Sequence, residues 1–580
     1  MQKMKEKLLV LLLVFLPVGT LTVQCLWAEE PKASAPQDIL LISGTITNPQ
    51  GKGVKDALFV FYLNDNEIKP EKEITSNPDG TYEAELRLPK GSLQKGKLAL
   101  EVSKRSYKSS GRLALDKVTK ELTDEKGTTY YLAHKNLALK RTITPAFWIA
   151  TSVLIAVYVL IGFELMHRTL AAFFGAALIL FVSYTAGSFS DNYVVLTFED
   201  AVAAIDLNVI FLLMAMMIFV GIMKKTGIFQ WLAFKSYQIA KGNVFVLSAI
   251  LMFITAFTSS FLDNVTTMLL IIPVTIEIAS TLKINPITLL LPEVFASNIG
   301  GTATLIGDPP NIMIGSYAKL AFTDFLLNLS LVCLICLAVS IIYFAYWYRK
   351  DYVKPQVVNV QEMIDRLREE YKITNKTLLV QCLIILGFTV FLFVIHGALH
   401  MEPSIAAMTG AALLLVVSRI NIVEMLEHEI EWPTLIFFMM LFIVVAGAED
   451  TGLIQIVADW VSHMSRGSIV VAVLMVLWVS ALASSIIDNI PFTATMLPIV
   501  SYLNEVVPGA QSGVLWWALA LGACLGGNGT MIGASANVVM VGVAEREGYA
   551  ILFMGYLKIA FVPTIITIIL CSAWLLLVQM

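Results

Sequence analysis

The sequence predicts an all-α polytopic membrane protein with inverted repeats, two re-entrant hairpins and broken helices, preceded by a small all-β sandwich. Three observations carry this expectation. The 580 residues are 57% hydrophobic and 14% charged, with a mean hydropathy of +0.76, whereas a soluble domain carries about 25% charged residues. The apolar region says one thing twice: Ser259-Ser260-Phe261-Leu262-Asp263-Asn264 returns 225 residues later as Ser484-Ser485-Ile486-Ile487-Asp488-Asn489. Residues 29–140, in contrast, are polar and rich in Lys, Glu, Thr and Gly.

Taken in order, Lys3, Lys5 and Lys7 precede an apolar run over 8–21, and Ala28 offers a small residue for cleavage. Residues 1–28 therefore read as a signal peptide, with an uncleaved anchor as the alternative. Gln24 is a poor neighbour for lipidation of Cys25. Between 29 and 140, strands are expected at 39–46, 56–62 and 81–88, the last entered through the hairpin turn Asn77-Pro78-Asp79-Gly80. This is an antiparallel sandwich without a catalytic cluster. Its order of Gly-x-Ile, Gly-x-x-Val and Asp-Gly-x-Tyr motifs resembles the carboxypeptidase-regulatory-like module, and without a catalytic cluster it reads as a structural or docking appendage outside the membrane.

The membrane region divides into a first half at 144–347, a charged linker at 348–376 and a second half at 377–580. Runs such as 147–165, 325–347, 378–395 and 560–577 approach or exceed the roughly 20 residues that cross a bilayer. If residues 29–140 are exported, the first span runs inward. Lys224, Lys225, Lys283, Arg349, Lys350 and Arg419 then fall inside, with Lys319 and Arg466 the only basic residues in the outside loops, as the positive-inside rule requires. This orientation is that of a bacterial-type inner membrane protein with an extracytoplasmic N-terminal domain. On the same walk, Gly175-Ala176-Ala177-Leu178 and Gly410-Ala411-Ala412-Leu413 sit in spans of opposite direction, the mark of an inverted repeat.

Each half is broken twice. Polar residues 259–264 interrupt an apolar stretch over 243–278, and 484–489 interrupt 469–503, with neither arm comfortably long enough to span. Hairpins entering from opposite faces are expected, since irregular backbone at membrane depth must be buried or line a cavity. Each tip carries an acid and an amide, Asp263-Asn264 and Asp488-Asn489. Such an acid reads as a functional site or as the N-cap of the next half-helix, and the two are compatible. The second breaks are Gly300-Gly301-Thr302-Ala303-Thr304-Leu305-Ile306-Gly307 and Gly526-Gly527-Asn528-Gly529-Thr530-Met531-Ile532-Gly533. Their glycines are expected to permit unwound backbone, and Pro309-Pro310 to forbid helix through the first. Carbonyls and the Thr302 and Thr304 hydroxyls would offer oxygen to a small cation, and half-helix N-termini would face an anion.

The site is thus expected at Ser260, Asp263, Asn264, Thr267, Asn298, Gly300, Gly301, Thr302, Thr304, Gly307 and Asn311 of the first half. In the second half it is expected at Ser485, Asp488, Asn489, Thr493, Gly526, Gly527, Asn528, Thr530, Gly533 and Asn537. A coupling Na+ is expected at Asp263, Asn264, Asp488 and Asn489, with H+ as the other candidate, and no cofactor. Glu293, whose repeat partner is Leu519, and Glu277 have two open readings, structural or coupling. None of the six His residues lies in a break, and His396 and His400 are expected to be solvated in a short external turn. The CxxC of Cys333 and Cys336 lacks a second pair or His and reads as packing.

These motifs, from SNIGGTATLIGDPPN (297–311) to LGGNGTMIGASANVV (525–539), resemble the ion transporter superfamily over about residues 174–577. The resemblance lies with the citrate-transporter-like, arsenical-pump membrane protein and melanosomal P protein group. It implies a homodimer with a scaffold and a moving transport part. The superfamily's sodium/dicarboxylate symporters carry Ser-Asn-Thr at the hairpin tips, where this chain has Asp263 and Asp488. The expected activity is ion-coupled secondary transport of a small anion, citrate- or dicarboxylate-like or an oxyanion such as arsenite. A sodium/proton antiporter and an anion channel are the alternatives. The expected partners are the small ion and the lipid bilayer, and the net charge of −4 gives no reason to expect nucleic acid. No HExxH or GxSxG lies on a span, which argues against an enzyme, and no Walker sequence occurs, so ATP coupling would need a separate subunit.

Overall fold

The computed structural model describes residues 37–48, 53–70, 72–77, 79–92, 97–115, 118–123, 129–352 and 371–580. The expected signal peptide at 1–28 and linker residues 353–370 lie outside the described residues. The chain forms two compact units, Met1–Arg141 and Thr142–Met580.

The first unit is a two-sheet β structure. Strands β1 (Gln37–Thr47), β4 (Thr81–Pro89), β7 (Val118–Thr123) and β8 (Thr129–His134) form one sheet in the order β4-β1-β8-β7, with β9 (Leu137–Ala138) also on β1. Strands β2 (Leu58–Leu63), β3 (Asn66–Ile68), β5 (Leu98–Ser103) and β6 (Leu113–Ala114) form the other, in the order β3-β2-β5-β6. Alternate residues of β4, Tyr82, Ala84, Leu86 and Leu88, are buried, the period-two pattern of a strand with one wet face. Phe59 and Tyr82 pack with ring centroids 4.2 Å apart. The expectation of a wholly antiparallel sandwich is corrected: β1 pairs in parallel with both β8 and β9. Strand order depends on long-range pairing and leaves no local trace in the sequence.

The second unit is helical. Its first half comprises α1 (Pro145–Gly162), α2 (Arg168–Thr185), α3 (Leu207–Lys224), α4 (Ile228–Ala240), α5 (Val244–Ser259), α6 (Asn264–Thr281), α7 (Ile287–Thr302), α8 (Pro309–Ala318) and α9 (Phe322–Trp347). The second half comprises α10 (Lys376–Ile395), α11 (Pro403–Ser418), α12 (Trp432–Thr451), α13 (Leu453–Ser465), α14 (Ile469–Ser484), α15 (Asn489–Val506), α16 (Val514–Gly526), α17 (Ser535–Arg546) and α18 (Phe553–Trp574). Eight helices among the described residues are long and apolar enough to cross a membrane.

The repeat is kept to the residue. Helices α13, α14 and α15 begin and end 225 positions after α4, α5 and α6. Lys241 and Arg466, the same distance apart, both end their helices in the left-handed region at φ +48 and +49. Pro273 and Pro498 interrupt the hydrogen bonding of α6 and α15 at equivalent turns.

The mates run in opposite directions. Lys224, which ends α3, pairs with Glu429 just before α12 at 3.3 Å. Lys225 pairs with Glu424 at 2.7 Å, and the Thr374 amide bonds the Thr226 carbonyl. At the opposite ends, Asn208 Nδ2 donates to Ser316 Oγ, the Ser404 amide donates to Asn208 Oδ1, and Lys319 pairs with Glu402. Helix ends that the charge walk puts on one side are therefore bonded to one another.

Helices α5–α6 and α14–α15 are the two hairpins. Their first arms have 16 residues and their second arms 18, so α6 is longer than its apolar run indicated and reaches spanning length. One histidine expectation is corrected. His396 is 5% exposed. Its Nε2 accepts from the Phe322 amide at 3.2 Å and its Nδ1 lies 2.8 Å from the Met401 carbonyl. One ring nitrogen accepts and the other faces an acceptor, so these contacts fit the neutral ring protonated at Nδ1. The side chain staples the α10–α11 turn to the start of α9.

Candidate functional site at the hairpin tips

Four half-helices, α6, α8, α15 and α17, begin at the breaks. Asp263 is the N-cap of α6, its Oδ2 accepting from the Thr266 amide at 3.0 Å and from the Thr266 hydroxyl at 3.2 Å. Asp488 caps α15 through the Ile490 amide at 3.0 Å. Asp308 occupies the N-cap position of α8 but makes no cap bond. Its carboxylate, 1% exposed, instead takes the Asn489 side-chain amide of the other half at 3.4 and 3.5 Å. At α17 the N-cap residue is Ala534.

Each bend is stitched to the hairpin tip of its own half. Thr304 Oγ1 donates to the Ser260 carbonyl, and its mate Thr530 to the Ser485 carbonyl. Ser260 and Ser485 hydroxyls return to their own helices, at the Phe257 and Leu482 carbonyls. A Cβ on Gly300 would lie 2.0 Å from the Ala256 carbonyl oxygen, and one on Gly526 2.4 Å from Ala481 Cα. Ala256 and Ala481 are again 225 apart. Gly301 and Gly527 face the carbonyl oxygens of Gly307 and Gly533, at 2.7 and 2.8 Å from a built Cβ. This corrects the reason given for the first glycines. Helix α7 stays helical through Thr302 and α16 through Gly526, with irregular backbone only beyond. Gly300, Gly301 and Gly526 therefore allow close approach of backbones rather than unwinding.

Asparagines hold the bends and join the halves. Asn311 Nδ2 donates to the Thr302 and Thr304 carbonyls at 3.0 and 2.8 Å, and Asn537 Nδ2 to those of Gly527 and Thr530 at 2.8 and 2.9 Å. Asn298 Nδ2 crosses the repeat boundary to Asn528 Oδ1 at 2.9 Å and Asn537 Oδ1 at 3.0 Å. Asn298 Oδ1 accepts from Asn264 Nδ2 at 3.1 Å. In the mirrored position Cys524 Sγ lies 3.7 Å from Asn311 Oδ1. The Thr302 hydroxyl bonds the Asn298 carbonyl and the Thr493 hydroxyl the Asn489 carbonyl. The bend carbonyls of Thr302, Thr304, Gly527 and Thr530 thus already take protein donors, whereas the Thr302 and Thr304 hydroxyls act as donors. The Thr267 hydroxyl, fully buried one turn after Asn264, has no hydrogen-bond partner. No group of three His, Cys, Asp or Glu side chains that could hold a metal ion occurs among the described residues.

Two residues outside the expected set complete the site. Asp308 sits between the glycine and the prolines of the GDPPN string and has no acidic mate, since its repeat position holds Ala534. Arg168, which lies outside the repeated motifs, is the first residue of α2. Its Nη1 donates to Ser535 Oγ at 2.7 Å and lies 3.7 Å from Asp488 Oδ2, while Nη2 donates to Thr434 Oγ1 at 3.1 Å. The site therefore gathers three carboxylates, a guanidinium and a set of amides around the meeting of two hairpins and two broken helices.

Known proteins match this chain over most of its length. The family model described as citrate transporter (CitMHS) matches residues 158–522. An uncharacterized transporter of Mycobacterium tuberculosis is 40% identical over 432 residues, which is 74% of this chain and 97% of that protein. The P protein of Homo sapiens is 35% identical over 507 residues, 74% of this chain and 59% of that protein. The solved YdaH transporter of Alcanivorax borkumensis aligns with 71% of this chain and 98% of its own at 12% identity, with a TM-score of 0.49. By the extent of these sequence matches, the chain belongs to the citrate transporter (CitMHS) family and is a multi-pass membrane transporter.

Proposed function

We propose that the protein is an ion-coupled secondary transporter of a small anion of the citrate or dicarboxylate class, bound between the two hairpin tips. The observation that carries this reading is the contact of Asn298 with Asn528 and Asn537, which brings the broken helices of both halves together at one point. Four half-helix N-termini begin at these breaks, and their positive dipole ends favour an anion. Asp263, Asp308 and Asp488 oppose one unless protons or a cation enter with it, so uptake is coupled. The protein works as a homodimer in the bacterial inner membrane, with the N-terminal unit outside. Its two membrane halves extend over 144–347 and 377–580, joined through a cytoplasmic linker. Sodium/proton exchange is the second reading, favoured by the same three carboxylates, which suit cations without an anion.

Reconstitution into liposomes separates the two. Radiolabelled citrate or succinate uptake that requires a proton or sodium gradient supports anion transport. Sodium movement against protons, unaffected by any anion, supports the exchanger and rejects the anion reading.

A further inference from the structure

Glu293 stands on α7 between its first residue and the bend. Its side chain is fully buried. Thr275 Oγ1 on α6 donates to Oε1 at 3.0 Å, and Oε2 has no hydrogen-bond partner. No ion pair among the described residues includes it.

The neighbouring elements supply no cation to it. Helix α7 packs on α5, α6, α9, α16 and α17. By sequence, α5 has no titratable residue, α6 only Glu277, and α16 only Cys524. Helix α9 brings Asp324, two cysteines and two tyrosines, and α17 has Glu545 and Arg546 at its far end. Just beyond α9, Tyr352 lies within electrostatic reach of Glu293. A bare carboxylate with one hydroxyl donor, no counter-charge and no exposure to solvent is strongly disfavoured. The neutral acid fits these surroundings.

Polar groups lie along α7 on both sides of this acid. Tyr352 Oη hydrogen-bonds Ser248 Oγ at 2.9 Å and the Thr288 carbonyl at 2.8 Å. Thr288 is the second residue of the same helix, about 7.5 Å along the axis from Glu293. In the other direction α7 leads to the Phe295 carbonyl, which accepts from Asn528, and to Asn298. Glu293 thus shares one helix with the contact that joins the halves, and the repeat puts Leu519 at the corresponding place, so the site is single.

Resting on the coupled-transport reading above, we propose that Glu293 is the proton-binding group of the coupling cycle. It carries one proton in the conformation described here. It gives that proton to water when movement of the transport part opens the α7 face to one side, and takes one from water on the other.

The test uses the full-length protein in proteoliposomes containing a pH-sensitive dye, with radiolabelled citrate as probe, and infrared difference spectra of the same samples. The protonated-carboxyl C=O region at neutral pH should lose one component in Glu293→Gln relative to wild type, leaving any contribution of Asp263, Asp308 and Asp488 in place. The variant should lose at least ten-fold of the proton flux per citrate. An unchanged protonated-carboxyl region in Glu293→Gln, or an unchanged proton-to-citrate ratio, overturns the proposal. Wild-type citrate uptake without proton movement also overturns the coupling role. If wild type takes up no citrate at all, the anion reading fails instead. The infrared result then decides for or against the proton site. Should Glu293→Gln not assemble, Thr275→Val must shift the same band, because it removes the acid's one donor; an unshifted band counts against the proposal.

Discussion

Arg168 reaches Asp488 twice, directly at 3.7 Å and through Ser535 Oγ, which lies 2.7 Å from each partner. Asp263, at the equivalent place in the first half, bonds the amide and hydroxyl of Thr266 instead. The pair ties α2 to the tip of the second hairpin, so it must open if the hairpin moves past α2. Both side chains are largely buried, at 25% and 14% exposure. A double-mutant cycle of Arg168→Gln and Asp488→Asn should give a coupling of about 1–3 kcal/mol in unfolding free energy. A coupling below about 0.5 kcal/mol would show the contact to be incidental.

Asp263→Asn and Asp488→Asn test the acids against their capping role. Asn is itself a good N-cap, so either change should cost about 1 kcal/mol or less in stability if capping is all the residue does. Transport should nevertheless fall at least ten-fold in each variant. Folded protein with wild-type flux and unchanged pH and sodium dependence would show that both carboxylates are structural.

Close approach at the bends predicts a graded glycine series. Gly300→Ala and Gly526→Ala put a methyl against Ala256 or Ala481 backbone and should each destabilise by about 1–3 kcal/mol. Gly387, in α10, has nothing within 4 Å of a built Cβ, and Gly387→Ala should be neutral or stabilise by roughly 0.5–1 kcal/mol. Thermal unfolding in one detergent ranks the three. Equal effects would remove close packing as the reason for these glycines.

Orientation is tested with impermeant thiol reagents on intact spheroplasts. A cysteine at Ser110 should label and one at Lys372 should not. Cys333, Cys336, Cys382, Cys524 and Cys571 are buried and should give little background. The reverse pattern would invert both the topology and the export of the N-terminal unit.

The hairpins and broken helices were legible because polar residues within long apolar arms interrupt an otherwise uniform pattern, and because the interruption occurs twice. The tip residues follow from the same signal. What lay beyond it was whatever the duplication does not repeat. Asp308 faces the other half while its mate is Ala534, and Arg168 reaches the site from a helix outside the matched motifs. Gly300 was misread for a different reason: one residue type serves both an irregular backbone and a tight contact, and only the position of Ala256 tells them apart. His396 looked solvated since nothing near it in sequence reveals that the Phe322 amide, 74 residues away, needs an acceptor.

The inequality between the halves has an energetic consequence. Were the two repeats chemically identical, exchanging their conformations would produce a second form of the molecule, open to the opposite side and equal in free energy. Asp308 against Ala534, Asn298 against Cys524 and Glu293 against Leu519 remove that degeneracy. Each unmatched polar group favours one of the two forms by its own hydrogen bonds and burial. A difference of about 1.4 kcal/mol already sets a tenfold preference at rest. On the proposed secondary-transport cycle, the duplicated frame supplies two directions of opening, and these few unpaired side chains determine the side on which the empty carrier waits.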